Sequence, residues 1–392
     1  MVFPVDLSLF EGTAHSPSFL SLRRSMGRPD LTLRDYCVPV NPYFPTRAMF
    51  DELRAGLEES LKYYPSSNEE LTRVLCRAID LDPASVVLAN GSTELITWID
   101  RLLVKDGLAT PVPTFGRWTD QPAETGKAVA AFETTPDDDF ALDVDRFAAF
   151  VRRSGARAAA ICNPNNPTGA LVPGDQVLRL LDLLRDLEVV VVDESFIDFA
   201  DTEAIPSIAR HAAERANVVV LKSLGKNFGL HGVRFGYAVA RPGLVGNVRK
   251  ALPHWNLNGV AEAVIRSLAG HRDEYERGRR RVILDRQALE FALRGVEGLR
   301  VFPSRANFVY VRVPDEIDGV CLRNRLLTEH GCFVRECGNK LGSDRSHFRI
   351  AARPSAAIPP LIEALRDCLA ALSRGPRTAP RESAPALSPA RS

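Results

Sequence analysis

The sequence predicts an α/β protein, with a mostly parallel central sheet covered by helices on both faces and a smaller α+β domain after it. Three observations predict this. At 392 residues the chain exceeds what one hydrophobic core usually serves, so two domains are expected. Short continuous apolar runs, two of them valine-rich, recur with helical segments between them, as strands buried on both faces do. Beyond a long helical region, four more strand-like segments and a closing helix read as a separate, smaller unit.

Residues 1–46 are rich in proline and read as an N-terminal arm with one short strand, attached to the smaller domain. Residues 47–265 form the expected large domain. Within it, 47–63 and 68–79 read as helices, 85–89 as a strand, and Gly91-Ser92-Thr93-Glu94 as the opening of the next helix. Residues 158–162, 188–192 and 217–221 are further strands, and 235–240 is one more, antiparallel to them. A helical region over 259–294 leads into the small domain, residues 266–373. Its strands are expected at 300–302, 308–312, 332–335 and 347–350, with a closing helix at 359–373. Arg277, Arg279, Arg280 and Arg281 read as a solvated helix face. The stretch 374–392, rich in Pro, Ala, Ser and Arg, reads as a disordered tail.

Composition narrows the function. The chain is 45% hydrophobic and 25% charged, with a formal net charge of +1, so nothing argues for nucleic acid or an anionic membrane as partner. Seven cysteines, an odd number without a Cys-x-x-Cys pair, point to reduced thiols in the cytoplasm and to no metal site. No signal peptide and no membrane-spanning run is read from the sequence.

The chemistry concentrates at the C-terminal ends of the expected strands, where open α/β sheets place their ligands. Gly91-Ser92-Thr93 offers hydroxyls and helix N-terminal N–H groups to an anion, although a simple helix cap needs no more than Ser92 or Thr93. The segment from Asn163 to Gly169 is a tight turn by composition, and its Asn166 is also placed to donate to a phenolate oxygen. Asp193 ends a buried valine strand, where a carboxylate is costly unless paired; a helix cap, a salt bridge or a protonated pyridine nitrogen would each answer that. Lys226 stands just past another strand, flanked by glycines, with Ser223 three residues before it and Arg234 eight after. A Schiff-base lysine holding a phosphorylated aldehyde explains that spacing, with Ser223 and Arg234 on the phosphate.

Taken together, Tyr64-Pro65, Gly91 to Glu94, Pro113 to Gly116, Asn163 to Gly169, Asp193 to Phe196, Ser223 to Lys226, Arg234 and Phe348-Arg349-Ile350 resemble the fold-type I pyridoxal-phosphate enzymes of the aminotransferase class I/II superfamily. The branch most similar contains histidinol-phosphate aminotransferase and threonine-phosphate decarboxylase. The resemblance implies pyridoxal 5'-phosphate as cofactor and a homodimer. It implies that Lys226 binds the cofactor covalently and moves protons at Cα, and that Asp193 holds the pyridinium. Asn166 would contact the ring oxygen, Phe115 would stack on the ring, and Ser92, Thr93, Ser223 and Arg234 would bind the phosphate. Tyr64 would reach the partner subunit's cofactor phosphate. Arg349 would face the substrate carboxylate, Arg335 a substrate phosphate, and His15 of the arm would touch substrate.

The chain departs from the pattern in places. Phe196 stands where many aminotransferases carry a tyrosine that bonds the ring oxygen, Pro39 replaces an asparagine, and Ser16 replaces a glycine. The expected activity is transamination of a small amino acid or amine, those bearing phosphate or phosphonate included, with decarboxylation as the alternative. Asp193-Glu194-Ser195-Phe196-Ile197-Asp198-Phe199 resembles the decarboxylase side.

Overall fold

A computed structural model describes residues 6–10, 16–25, 27, 31–201 and 207–374. His15 and all but the first residue of the expected tail lie outside the described residues.

The arm contributes α1 (Phe19–Ser25), which the sequence reading did not anticipate, and the expected short strand, β1 (Arg34–Asp35). The single helix expected over 47–63 is two, α2 (Arg47–Ala55) and α3 (Leu57–Lys62), divided at Gly56, which caps both. Glycine is among the weakest helix formers, so the break falls where propensity is lowest. Next comes α4 (Asn68–Ile79), opened by Ser67, whose hydroxyl accepts the Glu70 N–H at 3.3 Å.

The large sheet has seven strands: β2 (Val86–Ala89), β3 (Gly107–Val112), β4 (Ala128–Glu133), β5 (Ala158–Cys162), β6 (Val189–Asp193), β7 (Val218–Ser223) and β8 (Gly236–Val239). Their order is β2-β8-β7-β6-β5-β3-β4, parallel except where β8 pairs antiparallel with β2 and β7. Its strands alternate between two cores, as a sheet covered on both faces must. Val190 and Val192 pack on one side with α4, α7 (Val144–Ser154) and α8 (Gly174–Leu183). Val189 and Val191 pack on the other with α5 (Ser92–Leu103), Trp118 of α6 (Arg117–Glu124), and α11 (Pro242–Ala251). The remaining helices of this part are α9 (Ala209–Glu214), α10 (Leu224–Asn227) and α12 (Gly259–Ser267).

The helical region expected over 259–294 is interrupted at Leu268–His271 and resumes as α13 (Arg272–Arg294). The smaller sheet runs β12-β13-β10-β9, all antiparallel, from β9 (Arg300–Phe302), β10 (Phe308–Arg312), β12 (Arg335–Glu336) and β13 (His347–Ala351). α14 (Gly319–His330) and α15 (Ile358–Ser373) pack on it, in a core of its own with Tyr36 of the arm. The strand expected over 332–335 divides at Val334: β11 (Cys332–Phe333) takes the arm strand β1 in parallel, while β12 joins β13. That division ties the arm to the smaller sheet.

Candidate active site

Parallel strands end together, so the loops after β5, β6 and β7 converge. Phe115, Cys162, Asn166, Asp193, Phe196 and Lys226 line one cavity there. The Lys226 Nζ lies 5.1 Å from the centre of the Phe196 ring, which itself packs edge-on against Phe308 of β10.

Asp193, the last residue of β6, is buried, and both its oxygens are hydrogen-bonded. Its Oδ2 accepts from Trp118 Nε1 at 3.2 Å. Its Oδ1 accepts the Ser195 N–H at 3.1 Å and the Ser195 hydroxyl at 2.5 Å. Such bonds fix the direction of the carboxylate. Neither Trp118 nor Ser195 was singled out from sequence; an indole far along the chain gives no local signal of its partner.

The anion end is built on α5. Its N-cap is Gly91, at φ 84°, which supplies no side-chain acceptor, so the first N–H groups are not taken up by a side-chain cap. A Cβ at Gly91 would stand 2.7 Å from an Arg234 guanidinium nitrogen, so glycine is what lets Arg234 lie against the helix start. Arg234 itself holds φ 60°, a left-handed conformation that costs a non-glycine residue energy and often marks a functional constraint. Ser223 faces Gly236 across β7 and β8, and Gly236 in turn abuts the Ser92 N–H. Ser92 and Ser223 are buried, while Thr93 and Arg234 are open to solvent.

Burial pushes the Lys226 amine down to about 8. Asp193 pulls it up, while Arg349 and Arg234 push the same way as burial. A large share of the amine is therefore neutral, and nucleophilic, near pH 8.

On the smaller sheet, Arg335 of β12 and Arg349 of β13 are direct register partners, so both side chains rise from one face. Arg349 donates to Asn166 Oδ1 at 2.7 Å and to the Cys37 carbonyl at 2.9 Å. Arg335 donates to Ser16 Oγ at 2.9 Å and to Asn339 Oδ1 at 2.7 Å. Arg349 thus joins the Asn163–Gly169 turn to the arm, and Arg335 meets the arm at Ser16.

The lysine loop is braced from behind. Lys222 is buried and paired with Asp198 at 3.0 Å. Asp198 also accepts from Asn227 Nδ2 at 2.7 Å and from the Tyr275 hydroxyl at 2.8 Å. Arg279, read as part of a solvated face, instead donates to the Asp198 carbonyl at 3.0 Å. From the front, the Asn41 N–H reaches the Lys226 carbonyl at 3.1 Å, and Asn41 Nδ2 reaches the Asn227 carbonyl at 3.1 Å.

Tyr64 is not among the residues lining the Lys226 cavity. It is 80% exposed and stacks on Trp255, 4.6 Å between ring centres, beside a second cavity of about 980 Å3.

These side chains fit a phosphorylated pyridine aldehyde: an uncapped helix start with an arginine for the phosphate, a pinned carboxylate for a ring nitrogen, and an amine for the aldehyde. Comparison with known proteins agrees. The model of the family "Aminotransferase class I and II" matches residues 34–365. The CMP-5'-(3-aminopropyl)phosphonate synthase of Streptomyces rubellomurinus is 34% identical over 88% of this chain, which spans only 54% of that protein's length. The L-serine phosphate decarboxylase of Sulfurospirillum multivorans is 30% identical, covering 91% of this chain and 93% of that one. A decarboxylase from the same organism has a solved structure similar to this one at a TM-score of 0.82, 30% identical, over 91% of this chain and 93% of the other. The chain therefore belongs to the class I and II aminotransferase family, whose cofactor is pyridoxal 5'-phosphate.

Proposed function

We propose that this enzyme removes the α-carboxylate from a small amino acid bearing a phosphate or phosphonate group. The observation that carries the reading is the register of Arg335 opposite Arg349. Like charges facing each other across a sheet are unfavourable on their own, and two bound anions relieve them. The similarity to an L-serine phosphate decarboxylase supports both the dianionic substrate and the loss of carboxylate, and that to a phosphonate synthase supports a phosphonate group.

When bound, pyridoxal 5'-phosphate supplies a carbonyl that condenses with amines and a ring that accepts the electron pair of the bond broken at Cα. The chain does the rest. Lys226 would hold the cofactor through Nζ, and its amine would be the group placed to return a proton to Cα. Asp193 keeps the ring nitrogen protonated, with Trp118 and Ser195 fixing its carboxylate. Asn166 meets the ring oxygen while holding Arg349, and Phe115 covers a ring face. Ser92, Thr93, Ser223 and Arg234 take the cofactor phosphate. The bond broken is the one perpendicular to the ring, so rotation about N–Cα decides the reaction. Arg349 at one anion and Arg335 at the other would lock that rotation. The missing tyrosine at Phe196 leaves Asn166 as the ring-oxygen partner.

Transamination is the second reading, favoured by the family match itself. Assaying the holoenzyme on O-phospho-L-serine separates them. Carbon dioxide released without an acceptor supports decarboxylation; glutamate formed only with 2-oxoglutarate present overturns it in favour of transamination.

The enzyme works as a homodimer in this reading, with Tyr64 reaching the partner subunit's cofactor phosphate. The exposed Tyr64–Trp255 stack, with Trp255 held at φ 53°, supports it. Seven free cysteines are in keeping with a cytoplasmic location. No helix among the described residues is long and apolar enough to cross a membrane.

A further inference from the structure

Lys340 belongs to none of the roles above. It follows β12 in a tight turn, with its N–H on the Cys337 carbonyl at 3.0 Å. Its side chain leaves the smaller sheet and reaches the other wall of the cleft. There the ammonium donates to the Thr114 carbonyl at 3.3 Å and sits 5.9 Å from the Phe115 ring centre. The residue is half-buried. Burial pushes the amine down to about 8, with Arg335 and Arg349 acting in the same direction and only the Cys337 and Cys162 thiols opposing.

A purely structural role does not balance. An ammonium has three donors, and a single neutral carbonyl bond contributes about 1 kcal/mol. Enclosing a charge beside two guanidinium groups costs more than that. Among the described residues, neither Lys340 nor Arg349 has a carboxylate within ion-pair distance. A pin to Thr114 would be served better by an uncharged donor. Beside Arg335, which already holds Ser16 and Asn339, Lys340 and Arg349 are instead what an anionic ligand carrying a carboxylate and a phosphate or phosphonate would complete.

We propose that Lys340 is a specificity residue of the substrate site, which pairs with Arg335 to make the distal anion position one for a phosphoryl or phosphonyl dianion instead of a carboxylate. This rests on the reading of the substrate given above. One cation balances a carboxylate; two flanking cations balance a phosphate monoester, whose second ionisation lies near pH 6. Lys340 also links the smaller sheet to the Thr114–Phe115 turn, so the anion that engages it bridges both walls of the cleft.

The test compares wild-type holoenzyme with Lys340→Met, Lys340→Gln and Lys340→Arg. Calorimetric titration with inorganic phosphate and with acetate needs no turnover, and the cofactor's own phosphate fills the helix site. Phosphate affinity should fall about 10- to 100-fold in the Met and Gln forms, the range for a charged hydrogen bond, with far less change for acetate. Lys340→Arg should recover most of the loss. In turnover of O-phospho-L-serine the same loss should fall on KM more than on kcat. Equal losses for phosphate and acetate, or phosphate binding undiminished in Lys340→Met, would overturn the proposal. If O-phospho-L-serine is not turned over but phosphate binding still depends on Lys340, the reaction reading fails and the dianion site stands.

Discussion

Asp193, at the end of the seven-stranded sheet, already has what a buried carboxylate needs, with Trp118 on one oxygen and Ser195 twice on the other. Arg349 and Lys340, rising from the smaller sheet and the turn beside it, have carbonyl and amide oxygens for partners and no carboxylate among the described residues. The contrast teaches how the work is divided. In the proposed reading the large-sheet wall holds the cofactor, and its bonded carboxylate would offer the ring nitrogen a fixed acceptor. In the proposed reading the smaller-sheet wall meets substrate, and incoming anions would supply Lys340 and Arg349 with the counter-ions they lack among the described residues.

Breaking the cofactor wall at its centre should have the largest effect. Lys226→Ala should lower turnover by roughly 10^4-fold or more, the upper range for losing a general acid–base group, and remove the near-visible band of the lysine-linked cofactor. An unchanged spectrum would refute the assignment. Behind that wall, Asp198→Ala leaves Lys222 buried without its carboxylate. It should cost about 3–5 kcal/mol in denaturant unfolding, and Lys222→Met in the same background should recover part of it. On the substrate wall, Arg349→Gln should weaken substrate binding by about 10- to 100-fold while cofactor affinity stays close to wild type. Loss of both together would mean that the two walls are not separable. Trp118→Phe removes a single bond to Asp193 and should cost only about tenfold in kcat/KM.

The smallest effect joins the walls. Because the folded Lys226 amine titrates near 8 and a free lysine near 10.5, reattachment of the cofactor to stripped enzyme should rise with pH, be half-maximal near 8 and level off above it. Arg349→Gln removes a positive neighbour, so the plateau should move to higher pH. Asp193→Asn removes a negative one, so it should move lower. Plateaus that stay put in both variants would show that burial alone sets the amine.

How much of this was legible in sequence differs between the walls in the same sense. The cofactor wall is made of short local signals, each a polar residue at the end of a valine-rich strand. Those signals placed Asp193, Asn166 and Lys226 before any coordinates. Two strands of the same sheet were missed. β3 contains Pro111, which argues against a strand even though parallel pairing to β4 absorbs it, and β4 is a half-exposed edge with weak alternation. On the substrate wall, Arg335 and Arg349 were found only through family resemblance, since fourteen residues apart they carry no mutual signal. Their pairing comes from register. Lys340 was missed because a lysine after Gly-Asn reads as an ordinary surface turn. Helix breaks at Gly56 and over 268–271 lie at the usual limit of boundary reading.

The seat of Asn41 against the loop of Lys226 has a consequence in time. Asn41 meets Asn227 across 186 residues of chain, and at Gly229 a Cβ would stand only 2.0 Å from the Phe44 carbonyl. On the ribosome, where chains grow at about 5–20 residues per second, the arm waits on the order of ten to forty seconds for its seat to be made. The reactive loop is therefore secured late in biogenesis. A deletion within residues 35–44 should release newly made enzyme with an intact sheet and a loosened lysine.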